Sequence, residues 1–185
     1  MSTLTVVRHG ETLWSRSGQH TGHTDIALTE AGRRDAVELA GRLRDQTFGL
    51  VLTSPLSRAR ATAAFAGFAD AIVDDDLREW DYGDYEGMTT AAIRADRPDW
   101  VLWSDGAPGG ETIEQVSARV DRVVERARLA DGDVLAFGHG HLLRVLASRW
   151  LGQDAALGAH LALDPATLSR LGDDRSTPVI CTWNA

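Results

Sequence analysis

A chain of 185 residues, 43% apolar and 25% charged, has the composition of a single globular domain spanning 1–185, which excludes a disordered segment. Its net charge of −8 excludes a surface that tracks nucleic acid. Every basic side chain apart from histidine is arginine, which excludes Walker-type loops and Schiff-base chemistry, both of which need lysine.

In chain order, Thr3 to Val7 is β-branched and apolar, a buried strand that runs into Arg8-His9-Gly10. The polar stretch from Glu11 to Asp25 reads as a loop. Thr29 is placed to cap a helix whose apolar positions Ala36, Val37, Ala40 and Leu43 recur at helical spacing. Leu50 to Thr53 is a second buried strand, stopped by Ser54-Pro55, and a helix is predicted from Ser57 to Phe68. Ala71 to Val73 gives a short third strand. The acidic and aromatic stretch from Asp74 to Gly87 has no period, and Asp74 to Asp76 read as a solvated face.

A helix near Thr89 to Ala95 precedes Pro98, and a glycine-rich loop covers Asp105 to Gly110. Thr112 to Leu129 is the longest amphipathic helix, with Ile113, Val116, Val120, Val123 and Val124 on one face. Val134 to Phe137 is a strand ending at Gly138-His139, a helix follows from Leu142 to Trp150, and Val179 to Trp183 is a last strand. Strands alternating with helices predict a three-layer α/β/α domain with a mainly parallel sheet. The single cysteine, Cys181, cannot form an intramolecular disulfide, and neither a leader peptide nor an apolar run of membrane-span length is visible. A cytoplasmic protein with no membrane partner is expected; a homodimer is compatible with the sequence, which does not argue for one.

Ligands of such sheets bind beyond the carboxyl ends of the strands. Two predicted strands end on histidine, His9 and His139, each beside glycine, and Arg8 and Arg58 project toward the same edge. Arginine forks match phosphate oxygens, and nearby positive charge keeps an imidazole neutral and nucleophilic. An acid for the leaving oxygen has several candidates in this reading: Glu79, Asp81, Asp84, Glu86 and Glu11. His139 and His141, with His20 and His23, could also be read as metal ligands, but no carboxylate at helical spacing completes a set. His20, His23 and His160 are otherwise expected to be solvated loop residues, with substrate contact the alternative for the first two. The tryptophans at 80, 100, 103, 150 and 183 are expected in the core or the cleft wall.

The run Val7-Arg8-His9-Gly10-Glu11-Thr12 resembles the signature of the histidine phosphatase superfamily, the phosphoglycerate mutase-like proteins. The similarity continues through Ser54-Pro55-Leu56-Ser57-Arg58-Ala59, through Glu79 to Gly87, and through Gly138-His139-Gly140, in the family's order. The resemblance implies that His9 is the nucleophile that becomes phosphohistidine, that Arg8, Arg58 and His139 hold the phosphate oxygens, and that Glu79 is the acid and then the base. It implies further substrate contacts at Ser15, Thr21, Gly22, Tyr82, Gly140 and His141, and a small phosphorylated substrate with no metal or other cofactor. Glu11 would hold the nucleophile's loop.

Departures from the family pattern choose among activities. Ser15 stands where mutases usually carry asparagine, and Trp103-Ser104-Asp105 stands where they carry a basic pair. Water is therefore the expected acceptor, ahead of a phosphoglycerate mutase or a non-catalytic phosphoprotein-binding module. Trp14 to Asp25 and Trp80 to Gly87 are similar to the branch that holds sedoheptulose bisphosphatase and certain acid phosphatases, which implies sugar phosphates as substrates.

Overall fold

The computed structural model describes residues 3–185. Six strands form one sheet: β1 (Leu4–Arg8), β2 (Leu50–Thr53), β3 (Ile72–Val73), β4 (Val134–Gly138), β5 (Leu168–Asp174) and β6 (Thr177–Thr182). Their order is β3-β2-β4-β1-β5-β6. The pairs β3–β2, β2–β4 and β4–β1 are parallel, while β5 runs antiparallel to β1 and β6 antiparallel to β5.

Side chains alternate across a strand, so each central strand feeds two cores. Leu4, Val6, Val134 and Ala136 pack with the helices α6 (Ile113–Leu129) and α7 (Gly140–Trp150), through Val116, Val120, Leu142, Val145 and Trp150. Val7, Leu135 and Phe137 pack on the other face against Leu39 and Leu43 of α2 (Glu30–Leu43) and Ala63 of α3 (Ser57–Phe65). The architecture is the expected three-layer α/β/α fold with a mainly parallel sheet.

Register places the site. Arg8 pairs with Gly138, and Thr53 with Phe137, so β1, β4 and β2 end level with one another. The next residues, His9, His139 and Ser54, therefore stand side by side; the His9 amide donates to the Gly138 carbonyl (3.0 Å) and the Ser54 amide to the Phe137 carbonyl (3.0 Å).

Several expectations need correction. The stretch from Glu11 to Asp25 is not all loop: Thr12 and Ser15 form a capping box on the short helix α1 (Leu13–Ser17), closed by Gly18 at φ 76°. The third helix stops at Phe65, three residues short of the predicted Phe68. After α4 (Thr90–Asp96), a second short helix, α5 (Leu102–Asp105), precedes the glycine-rich loop. Strand β5 was not visible in the pattern because a register shift between Arg170 and Leu171 breaks its alternation. Asp74 is buried and paired with Arg126 (2.7 Å), and Asp76 pairs with Arg122, so of this run only Asp75 lies on a solvated face.

Candidate active site

The residue after β1, His9, is buried and its Nδ1 lies 2.7 Å from the carbonyl oxygen of Gly10. A carbonyl only accepts, so Nδ1 carries the proton and Nε2 keeps its lone pair. Burial, then Arg8 and Arg58, holds the His9 pKa well below the usual 6.5, so the ring is neutral. Gly10 is required here: its amide donates to Thr62 Oγ1 (2.9 Å), and a Cβ on it would meet the Gly32 carbonyl at 2.4 Å.

Arg8 donates through Nη1 to the Leu163 carbonyl, while its buried Nε has no hydrogen-bond partner. A Cβ at Gly140 would lie 3.3 Å from the guanidinium carbon, so the missing side chain lets Arg8 lie against the start of α7. Arg58 is fully buried. It donates to the carbonyls of Thr24 (3.0 Å), Thr21 (2.9 Å) and Gly22 (3.0 Å), and through Nε to His139 Nδ1 (3.2 Å). Arg60, its neighbour on α3, is exposed. Among the described residues neither Arg8 nor Arg58 makes an ion pair.

His139 has both ring nitrogens occupied. Nδ1 accepts from Arg58, so Nε2 carries the hydrogen and donates to Ser54 Oγ at 2.8 Å. Its ring sits 5.1 Å from that of His9, and burial with Arg58 and His9 holds it neutral. The structure thus places His139 and Arg58 one layer behind His9. Gly22 also lies behind the wall, its amide bonded to both oxygens of Glu86 (3.0 and 2.9 Å).

A cavity of about 290 Å³ opens over His9, lined by Arg8, Ser15, Thr21, Glu79, Tyr82, Gly140 and His141 of the predicted set. Glu79 is buried, with Oε1 accepting from the amides of Trp80 (2.9 Å) and Leu142 (2.8 Å) and Oε2 from that of His141 (3.1 Å). The N-terminal turn of α7 thus fixes the carboxyl group beside Arg8. Tyr82 O–H lies 2.6 Å from His141 Nδ1. Burial pushes the Tyr82 pKa well above 10 and that of His141 well below 6.5, so this is a hydrogen bond between two neutral groups.

None of the other carboxylate candidates lines the cavity, and Asp84 is exposed. Glu86 accepts from Gly22 and Thr24, Glu11 from Thr29 Oγ1 (2.7 Å) and Asp81 from the Gly83 amide (2.9 Å).

His20 is not a solvated loop residue: it is buried against Tyr82 and Trp100, with Nδ1 bonded to the Met88 carbonyl (2.8 Å), and it lines the cavity, where the alternative of a substrate contact puts it. His23 and His160 are exposed. No group of three or more metal-ligating side chains occurs among the described residues. Trp100 and Trp103 complete the wall, within the core-or-cleft-wall placement expected of the tryptophans, together with Arg94 and Arg144, which the sequence reading does not point to. Arg144 was within reach: it lies three positions after His141, on the same helix face once α7 begins at Gly140.

Guanidinium groups without carboxylate partners, set around an imidazole with one free nitrogen, suit an oxyanion such as phosphate, and the class these features point to is an enzyme acting on phosphate esters. The sequence profile of the histidine phosphatase superfamily (branch 1) matches residues 4–185, and the chain belongs to that family. It is a phosphatase of the phosphomonoester-hydrolysing kind. An acid phosphatase of Mycobacterium tuberculosis (strain ATCC 25618 / H37Rv) is 42% identical over 174 residues, covering 91% of this chain and 85% of its own. Sedoheptulose 1,7-bisphosphatase of Saccharomyces cerevisiae is 37% identical over 181 residues, covering 80% and 66%. A solved mycobacterial glucosyl-3-phosphoglycerate phosphatase in complex with VO3 superposes with a TM-score of 0.89 at 29% identity, over 100% of both chains.

Proposed function

We propose that this protein hydrolyses small phosphomonoesters, sugar phosphates among them, through a phosphohistidine on His9, without a metal ion. The observation that carries the reading is the His9 tautomer: Nδ1–H is tied to the Gly10 carbonyl, which leaves Nε2 as the nucleophilic atom. Its lone pair attacks phosphorus as the ester P–O bond breaks, and the proton of Glu79 passes to the departing oxygen. The ring then carries positive charge, which the Gly10 carbonyl stabilises through Nδ1–H. Water next attacks phosphorus and returns a proton to Glu79, and the P–N bond breaks to restore neutral His9 and release phosphate. Arg8, with its unpartnered Nε, suits the non-bridging oxygens. Arg58 and His139 act from behind, holding the 21–24 loop and Ser54, and a direct phosphate contact from His139 requires that its Nε2–H leave Ser54 or that Nδ1 gain a proton and release Arg58.

The substrate body is read from the wall. Trp100, Trp103, Tyr82 and His20 give the cavity an aromatic lining suited to a sugar, and Arg94 and Arg144 suit a second anionic group. A bisphosphate or a phosphorylated acid carries such a group, in keeping with the names of two of the relatives.

The test is phosphate release from p-nitrophenyl phosphate in excess EDTA, comparing the intact protein with His9→Ala. Activity that survives EDTA and vanishes in the variant, with an acid-labile, base-stable phosphoprotein trapped by quenching, is the expected result. Loss of activity on chelation, or full activity of His9→Ala, overturns the reading.

A further inference from the structure

Glu79 sits in a segment that has no strand or α-helix between Val73 and Thr90, only the single 3-10 turns Asp75–Leu77 and Gly83–Tyr85. Such a backbone has few partners of its own, yet a proton donor must be held to a fraction of an ångström. What holds it is a side-chain pair outside the cavity, a buried arginine and its partly buried carboxylate partner. Arg119, on α6, directs every donor it has to this purpose. Nε donates to Glu111 Oε1 (2.8 Å), Nη2 to Glu111 Oε2 (2.8 Å) and to the carbonyl of Glu79 itself (3.2 Å). Nη1 donates to the carbonyls of Asp76 (2.9 Å) and Arg78 (2.6 Å).

Glu111 grips the other side of Glu79. Its Oε2 accepts from the Asp81 amide (3.0 Å), its backbone amide donates to the Asp81 carbonyl (3.0 Å), and its carbonyl accepts from the Trp80 indole (2.9 Å). Carbonyls at 76, 78 and 79 are therefore held by Arg119, and residues 80 and 81 by Glu111. The Glu79 side chain leaves this frame to meet the α7 amides. A fully satisfied fork of this kind fixes geometry more than it adds stability.

We infer that the Arg119–Glu111 pair is a positioning clamp that sets Glu79 for proton delivery to the leaving group. The inference rests on the assignment of Glu79 as the acid. It predicts a dependence on the leaving group that a merely structural pair would not show. p-Nitrophenolate departs without a proton, whereas the alkoxide of glycerol 2-phosphate needs one.

The experiment compares kcat/KM for these two substrates in Arg119→Lys, Glu111→Gln and Glu79→Gln, with folding checked by circular dichroism and thermal melting. Lysine cannot reproduce the fork. Arg119→Lys is expected to lose about 30- to 100-fold on glycerol 2-phosphate, the scale of an ångström of misplacement, and under about 5-fold on p-nitrophenyl phosphate. Glu111→Gln, close in shape, is expected to show the same bias at smaller size, and it carries the comparison if the lysine variant does not fold. Equal losses on both substrates in the clamp variants, with a biased loss in Glu79→Gln, would overturn the clamp and leave Glu79 as the acid. An unbiased Glu79→Gln would overturn the assignment of the acid itself.

Discussion

Two glycines in one helix are predicted to respond to alanine with opposite signs. Gly32 and Gly41 both lie in α2, where replacing glycine by alanine ordinarily stabilises by about 1 kcal/mol. A Cβ at Gly41 would meet nothing within 4 Å, so Gly41→Ala should gain that amount. At Gly32 the same atom would lie 2.3 Å from the Glu11 carbonyl oxygen and 2.5 Å from its amide nitrogen. Both neighbours are backbone and cannot rotate aside, which sets the overpacking cost near about 3 kcal/mol, against the 1 kcal/mol of propensity. The balance is a net loss of about 2 kcal/mol. For a domain of this size about 1 kcal/mol moves Tm by about 2–4 °C, so Gly32→Ala should melt about 4–8 °C lower and Gly41→Ala about 2–4 °C higher. Glu11 adjoins Gly10, whose carbonyl fixes the His9 tautomer, so Gly32→Ala should also lose activity while Gly41→Ala keeps it. Differential scanning fluorimetry with a phosphatase assay reads both effects. A Gly32→Ala protein that melts at or above the wild-type temperature would refute the reasoning.

Acid should destabilise the fold early. His9, His139 and His141 are held neutral, with pKa values well below 6.5, so between the unfolded and folded values the unfolded chain binds protons that the folded one does not. Stability is full above about pH 6.5 and falls by up to about 1.4 kcal/mol per pH unit for each ring below it, which urea titrations from pH 7.5 to 5 would show as a falling midpoint; a flat midpoint would count against three neutral rings. Separately, Arg144→Gln should raise KM for a sugar bisphosphate about 10- to 100-fold, the worth of a charge-assisted contact, and leave a sugar monophosphate nearly unchanged; equal effects on both would remove Arg144 from substrate recognition.

How far the sequence reveals this protein depends on the range of the forces involved. Strands β1, β2 and β4 are legible because a strand buried on both faces is a continuous apolar run, and here each run stops at a chemically distinct residue. Helices α2, α4 and α6 announce themselves through Thr29, Thr89 and Thr112, each of which accepts an amide in the first turn. Helix α1 carries the same signal at Thr12 but buries no side chain, with Leu13 57% exposed, so it has no apolar period to find. The start of α7 was placed late because His139 caps it without a side-chain bond, and the late start put Arg144 out of view. His20 shows the limit most clearly. Its burial comes from Tyr82, Trp100 and His141, residues distant in the chain, and nothing near position 20 encodes it.

The division of the site into two layers follows from its charge balance. Arg58 is fully buried without a carboxylate partner, and such a charge is tolerable only if its donors are satisfied. The carbonyls of Thr21, Gly22 and Thr24 meet that need, and they come from the loop that forms the cavity's edge. The same guanidinium thus provides positive potential behind His9 and orders the loop in front of it. Glu86 holds that loop from its other side through the Gly22 and Thr24 amides, so a carboxylate balances Arg58 through the peptide groups between them, without touching it. A carboxylate in direct contact with Arg58 would cancel the potential that lowers the His9 pKa. Spacing the counter-charge one peptide away keeps His9 neutral and leaves the field at the cavity positive, which is what the proposed transfer of a phosphoryl group to an uncharged nitrogen would require.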